Sequence, residues 1–430
     1  MSRYRYYVLA MLTLVYVFNF VDRQIVVILA ESIKKDMHLT DADLGWLSGV
    51  AFAFFYVILG IPIARFADRG NRKNVITVSL GLWSIMTAVC GFAGNFFQLL
   101  LARIGVGIGE AGGSPPAHAM LSDYFPPRKR STALAIYSAG IYIGMMVGFV
   151  MGGYLNQSLG WRKAFMLVGA PGAVFALLVF FTVREPKRGA TDDGHATDDA
   201  GATDDTGATD DAGATETHSF RVVVKRLISS PTFVFLAMAT SLHVFCIYGL
   251  ANWAPSFLSR LHGLTPAQRG LALGLASGIG GGIGSFGGGW LTDRFGKRDI
   301  RWYMRIPAIA VLISVVFEVL ALFSPNTSLS VISFGCIAAL QSSYLGPAVS
   351  VAHRLVPASM RAMASASLFL CLNLIGLGLG PVVVGKISDL LAPRYGVESL
   401  RWAMSVVILV SFGAMALFFV TARKMKAELS

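Results

Sequence analysis

A short charged cassette occurs twice in this chain, each time closing a long apolar stretch. The first copy has Gly60, then Asp68-Arg69-Gly70-Asn71-Arg72-Lys73; the second has Gly289, then Asp293-Arg294-Phe295-Gly296-Lys297-Arg298. A further echo follows each copy, Pro126-Pro127-Arg128-Lys129-Arg130 against Pro357-Ala358-Ser359-Met360-Arg361. Asp68 and Asp293 lie 225 residues apart, and both the Pro126–Pro357 and Arg130–Arg361 separations are 231. Two near-constant offsets in a chain of 430 residues require two similar halves joined in the middle.

What fills those halves is apolar. The chain is 55% hydrophobic and 14% charged, too apolar for a soluble domain of this length, and its apolar runs are long enough to cross a bilayer. Twelve spans are expected, near 7–30, 44–66, 74–94, 98–122, 132–156 and 162–183, then 231–255, 268–292, 303–324, 327–351, 362–387 and 400–422. The expected fold is an all-α integral membrane protein of two pseudo-symmetric six-helix bundles, 1–189 and 220–430, joined by a linker at 190–219. Parallel halves of this kind are a secondary-transporter architecture.

The net charge of +12 is explained by topology rather than by nucleic acid. Of the 36 Lys and Arg, 25 fall at one membrane face and 9 at the other, with Arg23 and Arg103 inside spans. The richer face, with Arg69, Arg72, Arg128, Arg294 and Arg423, is expected to be cytosolic, as are both termini. A bacterial inner membrane is the expected location. The N-terminus lacks a cleavable signal pattern, its first apolar segment being a full span. Cys90, Cys246, Cys336 and Cys371 each fall inside a span without paired spacing, so they are expected as small apolar packers rather than disulfides or metal ligands. Residues 190–215 repeat a six-residue ATDD unit with no large apolar residue, a composition that cannot bury enough surface to fold and predicts a flexible acidic tether. The stretch 220–230, FRVVVKRLISS, predicts a short amphipathic segment on the cytosolic surface.

Glycines concentrate in three spans. Span 5 has Gly140, Gly144, Gly148 and Gly152 at four-residue spacing; span 8 is rich in glycine from Gly274 to Gly289; span 11 has Gly376, Gly378, Gly380 and Gly385. Small residues let helices approach closely in lipid, and their joint occurrence in these three spans predicts a moving interface. The run Gly105-Val106-Gly107-Ile108-Gly109 lies within a span with no preceding strand, which excludes a dinucleotide loop.

Ionisable groups inside the membrane are the candidate site, because a charge near the bilayer centre costs roughly 2.5–3.5 kcal/mol even on a lenient scale. Span 1 contains Asp22-Arg23; span 4 contains Arg103 and, two turns deeper on the same face, Glu110. Asp22 is placed to pair with Arg103, and Arg23 to reach Glu110. A buried staple between spans 1 and 4 is the structural alternative, but buried pairs stabilise poorly compared with apolar packing. The repeat is also asymmetric: at offset 231, Glu110 falls on Gln341, Arg103 on Phe334 and Pro116 on Pro347. One half keeps charges that the other has lost. A carboxylate that alternates between pairing with Arg and standing alone changes its proton affinity, which suits Asp22 or Glu110 to proton coupling. Glu318 in span 9, without a visible partner, is expected at a peripheral or interfacial position. His243, Tyr248, Asn252, Gln341, Ser342, Tyr344 and Asn373 are polar positions in spans 7, 10 and 11; His243, Gln341 and Tyr344 are candidates for lining a cavity.

The loop cassette, its repeat and the span count resemble the major facilitator superfamily over essentially the whole chain. Within it, Asn19-Phe20-Val21-Asp22-Arg23 and the helix-4 run from Arg103 through Gly105, Gly107, Gly109 and Glu110 to Ser122-Asp123-Tyr124-Phe125-Pro126 resemble the Spinster family of lipid transporters. Gly112-Gly113-Ser114-Pro115-Pro116 and Asn71 depart from the family pattern. The resemblance implies a central cavity lined by helices 1, 4, 7 and 10, alternating access, and roles for Asp22, Arg23, Arg103 and Glu110 in proton coupling and headgroup binding. It also implies that Asp68, Arg69, Arg72 and Lys73, with Asp293, Arg294, Lys297 and Arg298, latch the lobes on the cytosolic side when the carrier opens outward.

The function expected is a proton-coupled carrier of an amphipathic anion such as a lysolipid, working as a monomer without a cofactor. A proton-driven permease for a small organic or sugar acid is the alternative within transport. A membrane enzyme needs a nucleophile–base pair or metal ligands within spans, and no such arrangement is present in the sequence; a receptor or sensor needs an appended soluble domain to pass on its signal.

Overall fold

The computed structural model describes residues 2–189, 220–357 and 360–429, with all their side chains except those of Ser2, Asp68, 220–222, Ala362 and Leu429. The expected tether at 190–219 lies outside the described residues. The described residues form helices joined by turns and short irregular segments, with no strand among them.

The N-terminal lobe comprises α1 (Ser2–Met37), α2 (Asp41–Ser48), α3 (Val50–Arg69), α4 (Arg72–Cys90), α5 (Phe96–Glu110), α6 (Ser114–Tyr124), α7 (Pro127–Leu159) and α8 (Trp161–Thr182). The C-terminal lobe comprises α9 (Phe220–Ser229), α10 (Pro231–Ala251), α11 (Ala254–His262), α12 (Pro266–Gly296), α13 (Trp302–Phe323), α14 (Thr327–Gln341), α15 (Leu345–Arg354), α16 (Arg361–Leu372), α17 (Gly380–Tyr395) and α18 (Ser399–Leu429). Ten continuous stretches are long and apolar enough to cross a membrane, and the last, Met363–Glu428, contains two passes. The charged, interrupted stretch from α5 to α6 completes twelve. Polar caps start these helices where the sequence changes character: Asn71, Asn95 and Asn326 each accept from the backbone N–H three residues on, and Thr40 and Thr265 form capping boxes with Asp43 and Gln268.

Several spans expected as continuous helices are broken. Span 4 stops at Glu110 and restarts at Ser114 after a turn over 111–113, where Gly112-Gly113 precede Pro115-Pro116 and no N–H is available to continue the ladder. Span 10 stops at Gln341 and passes through a tight 3₁₀ turn, Ser342–Tyr344, into α15. Glu110 and Gln341, equivalent in the repeat, thus each end a half-helix. Span 2 bends at Gly49, span 7 turns at Asn252–Trp253, and span 11 widens into a π-helical segment, Asn373–Leu379. Such interruptions concentrate at transporter binding sites, where freed backbone groups can face a cavity.

The apolar packing divides by depth. At the face opposite the cassettes, one continuous core crosses both lobes, joining Val26, Leu44, Phe149 and Phe165 to Trp253, Phe257, Ala321 and Leu400. Towards the basic face two further cores exist, one around Leu12, Trp83, Met120 and Tyr137 and one around Leu236, Met304, Val351 and Phe418. The first takes only Leu377 from the other lobe, with Tyr248 packed against both, so the lobes are fused at one end and packed mainly on themselves at the other. In α9, Val223 and Leu227 are fully buried in the C-terminal core, so its apolar face packs on its own lobe.

The glycine stripes do not all serve the moving interface expected of them. Gly140, Gly144, Gly148 and Gly152 face α1 of the same lobe; a β-carbon on Gly144 would stand 2.6 Å from the Val17 carbonyl oxygen. The α12 glycines at 280, 284 and 288 seat α14 and the turn after it. The lobe–lobe seam does use stripe glycines of spans 8 and 11, Gly274 and Gly278 against Met146 of α7, Gly378 against Gly49 and Gly385 against Asp41, together with Gly153 of α7 against Gly270 of α12, where a β-carbon on either would lie about 3 Å from the other's Cα.

Candidate functional site

The broken span 4 delivers Glu110 to the interior of the N-terminal lobe. Gly107 and Gly109 allow the delivery, because a β-carbon on Gly107 would lie 2.8 Å from the Phe52 carbonyl oxygen and one on Gly109 2.6 Å from the Trp83 backbone nitrogen. The glycine run is thus a packing surface for α3 and α4. Arg23 of α1 donates from Nε to Glu110 Oε2 at 2.7 Å; the Glu110 side chain is fully buried and that of Arg23 is 13% exposed. The Arg23 guanidinium is caged by rings, 5.0 Å from the centroids of Phe20 and Phe52 and 4.8 Å from Tyr56. Tyr248, on α10 of the other lobe, approaches the same guanidinium.

The second expected pair does not form. Arg103 is 2% exposed and donates from Nε to the Leu47 carbonyl at 3.4 Å, with its Cζ 5.5 Å from the Phe52 ring. Asp22, 1% exposed, lies beside Trp83 and Thr87, within the electrostatic reach of Arg103 but without an ion pair to it. Arg103 Nε meets instead the Leu47 carbonyl, near the end of α2. What remains is a set of buried polar atoms without hydrogen-bond partners: Asp22 Oδ1, Glu110 Oε1, Asn19 Oδ1 and Arg103 Nη1. Buried groups of this kind are costly and gather where something else is to bind.

The other nominated positions are placed differently. His243 Nε2 meets the Gln341 carbonyl oxygen at 2.9 Å, and its ring packs 4.7 Å from Tyr344 and 5.6 Å from Phe418. The Gln341 side-chain amide is committed to Glu318, donating from Nε2 to Oε1 at 2.9 Å. Glu318 is not peripheral: it is 0% exposed, between α13, α14 and α18. Its polar partners are neutral, which is why no charge pairing in the sequence revealed them.

At the basic face, the Asp68 side chain lies outside the described residues. Arg72 is buried and binds within its lobe, to Asp123 at 2.6 Å and Glu185 at 2.7 Å, while Lys73 reaches the Phe180 carbonyl at 3.1 Å. Arg69 is exposed, as are Asp293, Arg294, Lys297 and Arg298. In the loop after α12, the Arg301 backbone N–H holds the Asp299 carboxyl below its usual range. Among the described residues, the ion pairs at this face stay within one lobe.

The lobes are latched at the opposite face instead. Arg260 of α11 grips Asp41 of α2 through both terminal nitrogens, at 2.6 and 2.7 Å, and Glu31 of α1 at 2.6 Å. Lys34 and Ser388 also donate to Asp41, and Asp389 of α17 accepts from the backbone N–H groups of Asp41 and Ala42, capping α2 across the lobe boundary. Sequence reasoning missed this latch because its members lie hundreds of residues apart and read as flanking charges.

The major facilitator superfamily profile matches residues 12–321. An efflux pump of the same superfamily from Mycolicibacterium smegmatis is 34% identical over 418 residues, covering 96% of this chain and 91% of that protein. Spinster homologue 1 of Xenopus tropicalis is 28% identical over 458 residues, covering 99% and 83%. A solved bacterial homologue of the human lysosomal transporter Spinster, inward-facing and unoccupied, superposes with a TM-score of 0.86 at 30% identity, covering 100% of this chain and 99% of that one.

Proposed function

The chain belongs to the major facilitator superfamily, and from that membership we propose that it is a Spinster-like, proton-coupled carrier of an amphipathic anion, a lysolipid being the class that fits best. The carrying observation is the half-satisfied cluster: one Arg–Glu pair, one Glu oxygen without a partner, and a buried Asp and Arg left apart. Asp22, Arg23, Arg103 and Glu110 sum to zero charge. Protonating Glu110 or Asp22 leaves one uncompensated positive charge, and in a buried site that charge is relieved by an anion. A guanidinium released from its carboxylate can hold phosphate through two parallel hydrogen bonds. Deprotonation restores the pair and expels the headgroup. Tyr344, His243 and Gln341 would form the opposite wall, with Tyr248 closing over Arg23.

The positive-inside rule makes the basic face cytosolic, so the fused core and the Arg260 latch close the outer end and the separated cores open inward. Asp68, Arg69, Arg72, Lys73 and their repeat at Asp293–Arg298 would engage across the lobes only in the opposite state. The likeness to an efflux pump favours export. The resemblance of the Asn19–Arg23 and Arg103–Glu110 motifs to the Spinster family favours lipid over sugar acid. The test is flux in proteoliposomes under imposed pH gradients, comparing labelled lysophospholipid with a labelled sugar acid. Gradient-dependent lysolipid movement is expected. Movement of the sugar acid alone would establish the small-acid permease, and flux indifferent to pH would remove proton coupling.

A further inference from the structure

The charged site leaves a second buried carboxyl unused. Glu318 accepts hydrogen bonds from Ser314 Oγ at 3.0 Å, Gln341 Nε2 at 2.9 Å and Ser411 Oγ at 3.2 Å. Three helices converge on it with neutral groups, and no cation is within ion-pair distance among the described residues. The elements packed around it offer none deeper: α14 carries no charged residue, α18 keeps its basic residues at Arg401 and from Arg423 onward, and α12 carries its charges at Arg269 and at Asp293–Arg294. From α10 the titratable groups are Cys246, Tyr248 and, through Gln341, His243, whose Nδ1 is buried without a partner; α14 and the turn after it add Cys336 and Tyr344, and α15 adds His353 and Arg354 near its end. An ionised carboxylate held in such a place by dipoles alone is expensive, and the economical counter-charge is a proton. In the repeat register of 231, Glu318 falls on Thr87, which lies beside Asp22. Each lobe thus places a buried carboxyl in the same layer, supplied by different helices.

We propose that Glu318 is a second proton-binding site of the carrier, exchanging its proton during transport and reporting its state to the break in span 10 through Gln341. When ionised, Glu318 accepts from the Gln341 amide and pins the end of α14. When a proton binds, a new O–H bond forms on the carboxyl, which then needs an acceptor: the Ser411 hydroxyl, or the Gln341 carbonyl oxygen after the amide turns over. Gln341 occupies the position of Glu110 in the other lobe, so both half-helix ends answer to a carboxyl's protonation. The inference rests on the proton-coupled reading above.

Two measurements on the full-length protein in liposomes decide it. Infrared difference spectra between about pH 5 and pH 9 are expected to show a carboxylic-acid C=O band that titrates in the wild type, is missing in Glu318→Gln and is shifted in Glu318→Asp. Substrate accumulation under a pH gradient, with membrane potential clamped and normalised to folded protein, is expected to fall in Glu318→Gln by about tenfold per pH unit, because each coupled proton contributes about 1.4 kcal/mol per unit. A spectrum unaltered by either substitution, or accumulation unchanged in Glu318→Gln, overturns the proposal. A wild type that never accumulates substrate would instead sink the proton-coupled reading, while the infrared comparison still tells whether Glu318 binds a proton.

Discussion

The two half-helix ends invite comparison. Both spans 4 and 10 run into the membrane, stop at equivalent residues and restart after a short turn. At Glu110 the interruption is met by Arg23 from α1; at Gln341 it is met by the Glu318 carboxyl, itself held by the Ser314 and Ser411 hydroxyls. Arg103, two turns back along span 4, has Phe334 as its counterpart, a residue packed in the core shared by both lobes. The backbone device is shared and the charge is not. A duplicated scaffold can therefore supply the moving parts twice while concentrating electrostatic recognition in one lobe, where a single anion is to be held.

That contrast predicts unequal consequences for equivalent substitutions. Glu110→Gln removes the titrating group of the charged lobe and is expected to cut the response of flux to a pH gradient to the share carried by Glu318, while retaining or strengthening substrate binding at high pH. Gln341→Ala removes the amide donor to Glu318, a hydrogen bond worth roughly 1.5–3 kcal/mol to a charged acceptor, and should lower flux while leaving the pH response of the charged lobe in place. If Glu110→Gln and Asp22→Asn both transport with full proton dependence, the charged lobe is not the coupling lobe. Next in size is Arg103→Lys, which keeps the charge and loses the planar fork. A fall of about tenfold or more in flux per folded molecule is expected. A staple between helices would instead lower thermal stability and leave that normalised flux intact.

How far the sequence announced this arrangement varies with the kind of signal. The repeat offsets and apolar lengths carried the two lobes and twelve spans, because bilayer thickness and backbone hydrogen bonding leave few alternatives. Arg23 and Glu110 were legible as buried charges of opposite sign. The break after Glu110 is legible too, since Gly112-Gly113 before Pro115-Pro116 is a helix-stop pattern. The break after Gln341 has no such marker in Ser342-Ser343-Tyr344; only the repeat could have indicated it. Glu318 was misplaced because a lone acid on an apolar helix shows no partner when its partners are Ser314, Ser411 and Gln341. The glycine stripe on α7 was read by spacing alone, which cannot say whether the neighbour is α1 or the other lobe.

The same asymmetry holds between the two membrane faces. Arg260→Ala removes the only cation that the structure places across the lobes on both Asp41 and Glu31 among the described residues, and truncating one side of a buried charge pair costs roughly 2–5 kcal/mol. Double electron–electron resonance across that mouth should show longer, broader distances in the variant. Asp68→Asn, at the basic face, should act in the opposite sense and favour the state open there. Distances unchanged in both variants would mean that the seam between α7 and α12 governs opening and that the charges only decorate it.

The smallest effect expected concerns the connection between the lobes. If the lobes communicate through their packed seam and shared core, the acidic segment between them matters only for keeping the ends of two anchored bundles in one chain. Deleting two of its six-residue units changes closure entropy weakly, since each doubling of a flexible loop costs only about 0.6 kcal/mol. Flux per folded molecule should therefore stay within about twofold of the intact protein, with or without calcium. A severe loss on deletion, or a calcium-dependent rate in the intact chain, would show that the segment takes part in transport. The comparison between lobes would then have to include the chain that joins them.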